Sequence, residues 1–207
     1  MSDRENLILT EVAARAQARL AVDGLVKNIR AELYDLQQDI FDNQSRRVGV
    51  LGTRRAGKTE VWTRRATCTG LERPRSITRI WAINKLRCKE MIWEPLKFLH
   101  ARHKIQSNFN DTTLTCKLAN GSEIRLLGAD KEKEAQKKRG DKTACEIVLE
   151  AQMYGAYLRS LVEDVAGPCL FDLKGTFFLE GTPGVVCGGY WYDVSGREDV
   201  ATRWTSN

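Results

Sequence analysis

The feature that most restricts the fold of this chain is an eight-residue loop, Gly52 to Thr59, with the spacing G-x-x-x-x-G-K-[ST]. It follows an apolar stretch, 47–52, that is typical of a buried strand, and it leads into 59–67, which is typical of a helix start. A strand, a glycine loop and a helix in this order direct several backbone N–H groups towards one point, next to a helix N-terminus. The pattern therefore predicts a cradle for phosphate groups, in which Lys58 reaches the β- and γ-phosphates and the Thr59 hydroxyl binds Mg²⁺. The alternative, a chance glycine turn, is disfavoured because spacing, lysine, threonine and flanks all agree.

Composition narrows the class of protein further. The chain has 207 residues, 42% of them hydrophobic, which predicts one domain, with room for a small appendage. There is no run of about 18 apolar residues and no basic-then-apolar leader, so we expect a cytoplasmic protein without a membrane partner. Six cysteines without C-x-x-C spacing favour buried core thiols over a zinc site. The net charge of +6 weakly favours a polyanionic partner.

Hydrophobic periodicity predicts alternating strands and helices along most of the chain. Beyond the first strand and a helix to about residue 70, we expect strands at 76–83, 105–109, 112–118, 122–127, 144–149 and 175–180, and helices at 85–99 and 154–165. Asn120-Gly121 is a strong hairpin signal between the two strands that flank it. This alternation predicts an α/β fold with a mainly parallel central sheet flanked by helices.

An N-terminal helical segment, 1–42, is distinguished from a main domain, 43–207. Within it, a helix is predicted over 5–42 with a break at Gly24. Its apolar residues recur at three- and four-residue intervals, at Leu25, Ile29, Leu33, Leu36 and Ile40. Packing of this stripe on the main domain is the favoured interpretation, and docking of a partner protein or a neighbouring subunit is the alternative.

Nucleotide hydrolysis also needs carboxylates that assist the metal and orient water, and these are expected where parallel strands end. Glu150 ends an apolar run and is the best candidate to activate water; the alternative is a helix N-terminal carboxylate. The usual arrangement places an aspartate just before that glutamate, but this position is Leu149. Glu146 is a poor substitute as a metal ligand, because it lies about 13 Å back along the strand.

From residue 41 onwards the chain resembles the ATPase domain of phage large terminases, the DNA-packaging motors of tailed viruses. The Gly52–Thr59 loop is similar to the arginine-bearing Walker A loop of that family, and the preceding Phe41 to Gln44 resembles its adenine-contacting segment. Gln44 is either an adenine contact or a simple loop glutamine.

Further matches follow in the order that the family shows. Arg139-Gly140 and then Leu149-Glu150-Ala-Gln resemble the Arg-Gly and Asp-Glu-Ala-Gln sequences of the Walker B region, with the Asp missing. Gly181-Thr182-Pro183 is similar to the coupling motif that senses the γ-phosphate. In the family the Asp helps to hold the water shell of Mg²⁺, so Leu149 implies weaker metal binding, a divergent copy, or an alignment shifted by one residue.

The resemblance implies a P-loop NTPase of the ASCE type that hydrolyses ATP with Mg²⁺ and drives double-stranded viral DNA into a procapsid. It implies as partners the DNA, the portal, the small terminase subunit and further copies of the chain in a ring, all in the host cytoplasm. It also implies a nuclease domain, for which 207 residues leave no room, so we expect a truncated chain in preference to a stand-alone ATPase. The nucleotide-binding residues implied are Gln44, Gly52, Thr53, Arg54, Arg55, Ala56, Gly57, Lys58 and Thr59; the catalytic ones are Lys58, Glu150 and Arg139; the coupling ones are Gly181, Thr182 and Pro183.

Several basic residues are candidates for contacts with phosphate groups of the nucleotide or of DNA. Arg54, Arg55 and Arg139 are candidates to stabilise charge on the transferred phosphoryl group, with Arg139 acting on a neighbouring subunit, or they are surface arginines paired with carboxylates. DNA phosphates are expected near Lys131, Lys133, Lys137 and Lys138, without sequence readout. Two other functions stay open: a helicase-like P-loop ATPase, or a nucleotide-binding scaffold with impaired turnover.

Overall fold

The structure is a computed structural model that describes residues 3–53, 55–129, 135–182, 188–195 and 201–205, with backbone only for 3–7, 9, 195 and 201–205. The strands are β1 Arg47–Gly52, β2 Ile77–Ala82, β3 Ser107–Asn110, β4 Thr115–Leu118, β5 Glu123–Gly128, β6 Thr143–Val148, β7 Thr176–Gly181 and β8 Ala201–Thr205. The helices are α1 Asp3–Ala31, α2 Asp35–Asp42, α3 Lys58–Glu72, α4 Lys85–Cys88, α5 Glu94–Arg102, α6 Tyr157–Ser160, α7 Gly167–Cys169 and α8 Tyr190–Ser195. A π-helical turn, Lys89–Trp93, joins α4 to α5, another, Leu161–Ala166, joins α6 to α7, and a 3₁₀ turn spans Ala151–Met153.

The described strands form one sheet in the order β3-β4-β5-β2-β6-β7-β1-β8. Strands β5, β2, β6, β7, β1 and β8 are parallel, and β3 and β4 add an antiparallel edge. The predicted fold class, a mainly parallel α/β sheet, is confirmed. Strand β7 lies between β1 and β6, so the strand before the Gly52–Thr59 loop and the strand before Glu150 are not neighbours.

Helices cover both faces of the sheet, which is why the central strands are apolar on both sides. Consecutive residues point to opposite faces: Phe178 lies in a core with α3 and the end of α1, and Leu179 lies in a second core with α6 and α8. Trp81 and Trp93 are fully buried in these cores; Trp191 is buried too, whereas Tyr192 is exposed.

Most predicted elements agree with the structure to within a few residues, and the hairpin signal is confirmed. Strands β4 and β5 pair antiparallel, and Gly121 between them has a φ of +84°. The predicted break at Gly24 is wrong, because α1 continues through it to Ala31. A glycine inside a helix costs only about 1 kcal/mol, and the burial of Ile29 and Leu33 in the core outweighs it.

The end of the N-terminal segment packs on the main sheet. Ile29, Leu33, Ile40 and Phe41 belong to the same apolar core as β1 and α3. In contrast, the described side chains from residue 10 to residue 21 are exposed, and they include Val12 and Leu20. Partner docking by that half of α1 and the domain boundary at 42/43 stay predictions.

The cysteines among the described residues are buried thiols. Cys68, Cys88, Cys116, Cys145 and Cys169 are free and buried, as predicted for core thiols, and Cys187 lies outside the described residues. Burial raises the pKa of the first four thiols to about 12. Among the described helices, none combines the length and the apolar composition that crossing a bilayer requires.

Candidate functional site

A cleft of about 980 Å³ opens at the carboxyl edge of the sheet, where β1, β6 and β7 end. Parallel strands place the residues that follow them along one edge, which is the usual ligand crevice of such sheets. The residues predicted from sequence that line this cleft are Arg55, Ala56, Gly57, Lys58, Thr59, Glu150 and Thr182. Segments separated by more than a hundred residues in sequence therefore meet at one site.

The loop before α3 has a backbone that suits its predicted role. Arg55 and Gly57 have φ values of +67° and +69°, and Gly57 directly precedes the first residue of α3, Lys58. Left-handed residues within such a turn direct successive N–H groups into a concavity that favours anions. The φ of +69° favours glycine at position 57, and a Cβ there would lie 2.4 Å from Gln37 Nε2 and displace that side-chain amide.

Lys58 folds back over its own loop. Its ammonium donates to the carbonyl oxygens of Gly52, at 2.8 Å, and Thr53, at 2.9 Å, and lies 3.4 Å from Glu180 Oε1. An ammonium has three donors, so these three oxygens account for its capacity. An incoming phosphate must therefore compete with these contacts for Lys58.

Two residues that sequence reasoning missed brace the loop from the N-terminal side. The Tyr34 hydroxyl donates to the Ala56 carbonyl at 2.5 Å, and Gln37 Nε2 donates to the Gly57 carbonyl at 3.0 Å. Gln37 is buried on α2. In the sequence it lies four residues after Leu33 and four before Phe41, and a polar residue within this apolar spacing is the signal that could have identified it.

Gln44 lies elsewhere. Its side-chain amide donates to the Asp42 carbonyl at 3.1 Å, and it lines a separate cavity of about 240 Å³ beside Phe41 and Arg65. The structure therefore does not bring Gln44 to the Gly52–Thr59 loop, and its contact with adenine stays a prediction.

Glu150 leaves the end of β6 in a left-handed conformation, with a φ of +51° and a ψ of +47°. This backbone geometry is costly for a residue with a side chain and is retained where surrounding contacts fix it. Its backbone N–H donates to Glu180 Oε2 at 3.3 Å, and its carboxylate accepts two hydrogen bonds from Arg87, at 2.9 and 3.1 Å. Arg87, on α4, also lines the cleft and was not identified from the sequence.

The two other acidic-site candidates discussed above, Glu146 in β6 and position 149 directly after it, are not among the residues that line the cleft. Leu149 is fully buried in the apolar core. Glu146 is fully buried as well and accepts hydrogen bonds from Arg79 Nε and Trp81 Nε1, each at 2.6 Å. Both of its oxygens are thus engaged inside the sheet, in agreement with the expectation that it is a poor metal ligand.

Glu180, the penultimate residue of β7, is a second carboxylate at the cleft and was also missed. It is 2% exposed and contacts both the Lys58 ammonium and the Glu150 backbone N–H. Burial raises the pKa of its carboxyl, and the nearby Lys58 opposes that effect. A glutamate at the end of an otherwise apolar strand, directly before glycine, is the sequence signal that could have identified it.

The segment after β7 is linked to the segment after β6. The Thr182 backbone N–H donates to Gln152 Oε1 at 3.0 Å, and a Cβ at Gly181 would lie 2.8 Å from that same oxygen and from Trp191. Pro183, the third predicted coupling residue, lies outside the described residues. The predicted coupling segment therefore begins in direct contact with the Glu150 segment.

The predicted arginine and lysine sites are only partly described. Arg54, Lys131 and Lys133 fall outside the described residues. Arg139 does not line the cleft of its own chain; Arg79 Nη1 holds the preceding carbonyl, of Lys138, at 2.6 Å. Lys138 itself lines a polar groove of about 820 Å³ with Lys85, Lys117 and Arg125.

The chemistry of the cleft fits a divalent cation bound together with a phosphate ligand. Among the described residues, no group of three or more His, Cys, Asp and Glu side chains forms a metal site by itself. Mg²⁺ in nucleotide sites needs only one or two protein ligands besides phosphate and water, and it prefers oxygen. Thr59, Glu150 and Glu180 provide such oxygens in the same cleft.

Comparisons with known proteins place this arrangement in a structural class. No protein-family model and no curated protein sequence matches the chain. Among solved structures, the large terminase ATPase domain of Thermus phage P74-26 is similar, with a TM-score of 0.70 and 17% identity over 84% of this chain and 80% of that one. This chain has the fold of a phage large terminase ATPase domain.

Two longer terminases with this fold support the same conclusion. The large terminase of a thermophilic bacteriophage, in complex with ADP, matches with a TM-score of 0.69 and 13% identity over 83% of this chain. The HK97 bacteriophage large terminase matches with a TM-score of 0.66 and 11% identity over 83% of it. The chain spans 45% and 39% of those two proteins, respectively.

Proposed function

We propose that this chain binds ATP with Mg²⁺ in the cleft and hydrolyses it, as the ATPase of a motor that moves double-stranded viral DNA into a procapsid in the host cytoplasm. The observation that carries the proposal is the convergence of the Gly52–Thr59 loop, Glu150 and Thr182 on one cleft, within the terminase ATPase fold. The complex of the thermophilic bacteriophage's large terminase with ADP supports the nucleotide.

Each end of the loop has a role in binding. Lys58 leaves the carbonyls of Gly52 and Thr53 and moves its ammonium to the β- and γ-phosphates, while the Thr59 hydroxyl holds Mg²⁺. Arg54 and Arg55 add positive charge to the loop. The contacts of Tyr34 and Gln37 support this assignment, because they fix the loop backbone before any ligand arrives.

Glu150 orients the attacking water. Its carboxylate lies at the cleft but is paired with Arg87 in the nucleotide-free geometry, so the Arg87 contact has to loosen before water can take its place. Loss of the γ-phosphate is relayed through Gly181, Thr182 and Pro183; the hydrogen bond from Thr182 to Gln152 supports a link between hydrolysis and this segment.

The remaining roles need other molecules. Arg139 lies away from its own cleft, which fits an arginine that acts on a neighbouring subunit in a ring. Lys137 and Lys138 are the described candidates for phosphate contacts with DNA. The portal and the small terminase subunit are the further partners that we propose.

The test uses the purified chain and two variants. Calorimetry with ATP and Mg²⁺ is expected to detect binding that Lys58→Ala abolishes, because the loop loses its only ammonium. Phosphate release is expected to fall by about 100-fold or more in Glu150→Gln, with binding retained. Absence of ATP binding by the unmodified chain would refute the proposal.

A second function, a nucleotide-binding scaffold with impaired turnover, is favoured by one observation. Leu149 is buried in the core, so the segment directly after β6 offers the cleft no carboxylate other than Glu150, which is paired with Arg87. ATP binding without phosphate release in either Mg²⁺ or Mn²⁺ would support the scaffold over the ATPase.

A further inference from the structure

The carboxylates that line the cleft differ in burial and in their partners. Among the described residues, those lining it are Glu60, Glu150 and Glu180. Glu60 is half exposed and forms an ion pair with Arg64, a buried residue of α3. Glu150 is paired with Arg87 and is assigned to the attacking water. Glu180 is therefore the one described carboxylate at this cleft that is both buried and still without a role.

The Glu180 carboxylate is buried and contacts one cation and one backbone donor. Its side chain is 3% exposed, Oε1 lies 3.4 Å from the Lys58 ammonium, and Oε2 accepts the Glu150 backbone N–H. A buried carboxylate is stable only while a cation or several donors compensate its charge. In the present geometry Lys58 is that cation.

Nucleotide binding removes this compensation. Under the proposed function, Lys58 turns from Glu180 towards the phosphates, which leaves Glu180 buried with a single backbone donor. An uncompensated buried charge is strongly unfavourable. A divalent cation that arrives with the nucleotide and is anchored at Thr59 restores the balance, because Thr59 is the residue next to Lys58 and lines the same cleft.

We propose that Glu180 holds the divalent cation of the bound nucleotide through the cation's water shell, and that Lys58 occupies this carboxylate only in the nucleotide-free state. The inference rests on the proposed function. It assigns to a residue of β7 the contact with the cation's water shell that the segment after β6 cannot provide, since position 149 is a buried leucine. It also connects the cation to the Glu150 backbone through the 3.3 Å hydrogen bond to Glu180 Oε2.

The test compares nucleotide affinity with and without the cation. Calorimetric titrations of AMP-PNP are run in Mg²⁺ and in EDTA for the unmodified chain, for Glu180→Gln and for Glu94→Gln. Glu94 is an exposed glutamate on α5 outside the cleft and serves as the matched control. The affinity ratio between Mg²⁺ and EDTA is the readout, and it does not require turnover.

Glu180→Gln is expected to lower this ratio by about 10-fold or more, as found when groups around a metal's ligands are removed. Its affinity in EDTA stays equal or increases, because Lys58 is no longer held by a carboxylate. Glu94→Gln keeps the ratio of the unmodified chain. An unchanged ratio in Glu180→Gln, including equal weakening of the affinity in Mg²⁺ and in EDTA, would overturn the inference, because it means that Glu180 is a structural residue.

Failure of this inference is distinguishable from failure of the proposed function. If the unmodified chain binds AMP-PNP in neither condition, the proposed function fails. If it binds equally well in both, the nucleotide site stands and the role of Glu180 is refuted. Should Glu180→Gln not fold by circular dichroism, Glu180→Asp, which keeps the charge but shortens its reach, is titrated in the same way; a lowered ratio supports the inference and an unchanged one overturns it.

Discussion

Arg79 and Glu146 form an ion pair inside the sheet, with a distance of 2.6 Å between Arg79 Nε and Glu146 Oε1 and no solvent exposure of either side chain. The two residues are directly opposite each other on β2 and β6. The same guanidinium holds the Lys138 carbonyl and lies 3.4 Å from Asp141, so it ties the segment that carries Arg139 to the sheet.

Removal of one member of this pair is expected to destabilise the protein strongly. Arg79→Met and Glu146→Gln should each lower the free energy of unfolding by about 3–5 kcal/mol, because the buried partner loses the nearest charge that compensates it. Urea unfolding followed by circular dichroism measures this. The matched control is Arg15→Ala, which breaks the exposed pair with Glu11 and should change stability by less than about 1 kcal/mol. A similarly small change in the free energy of unfolding in all three variants would contradict the expectation that burial makes the Arg79–Glu146 pair costly to break.

Gln37 and Gln44 offer a direct comparison between an observed contact and a predicted one. Gln37→Ala should weaken ATP binding by about 5- to 10-fold, since the hydrogen bond to the Gly57 carbonyl is worth about 1 kcal/mol to the ordered loop. Gln44→Ala should leave affinity unchanged if its location in a separate cavity is maintained with nucleotide bound. Titration calorimetry on both variants decides; a loss confined to Gln44→Ala would instead support the adenine contact.

His100 makes stability dependent on pH. It is 2% exposed and lies 3.1 Å from Thr67 Oγ1 and 2.9 Å from Ser107 Oγ, and burial lowers its pKa from 6.5 to about 4. The unfolded chain therefore takes up a proton first as the pH falls, and the free energy of unfolding declines between pH 6.5 and about 4. The contribution of this one group approaches about 3 kcal/mol.

His100→Gln keeps polar atoms at that position but does not titrate. The difference in unfolding free energy between the unmodified chain and this variant should favour the unmodified chain most above pH 6.5 and shrink towards pH 4. Buried Glu146 and Glu180, whose pKa values burial raises, act in the opposite direction in both proteins and cancel in the comparison. A difference that stays constant with pH would show that His100 does not titrate on unfolding.

The buried thiols should resist modification. Cys68, Cys88, Cys116 and Cys145 have pKa values of about 12, so almost no thiolate exists at pH 8. With iodoacetamide, these four are expected to stay unmodified in the native protein and to react in guanidinium, as mapped by peptide mass spectrometry. Rapid native labelling at any of the four would mean that the surrounding core opens readily.

The sequence was most informative where a local pattern and a tertiary need coincide. The place of the Gly52–Thr59 loop at the cleft was predictable because its spacing, its glycines and its lysine all serve one backbone conformation, and that of Glu150 because it ends an apolar run; their roles stay predictions. Gln37, Arg87 and Glu180 were not predicted, since their roles arise from packing between elements far apart in sequence. The wrong break at Gly24 has the same origin: buried neighbours outweigh the weak helix propensity of one glycine.

Strand β7 is hydrogen-bonded along both of its edges, to β1 and to β6. A single-residue insertion or deletion within Thr176–Gly181 would therefore shift the strand register against two paired neighbours at once. Every side chain beyond the change would move to the opposite face of the sheet. Glu180 would turn into the apolar interior while Leu179 turned towards the cleft. Natural length variation in this strand should therefore be far rarer than in the β3–β4 hairpin at the rim of the sheet.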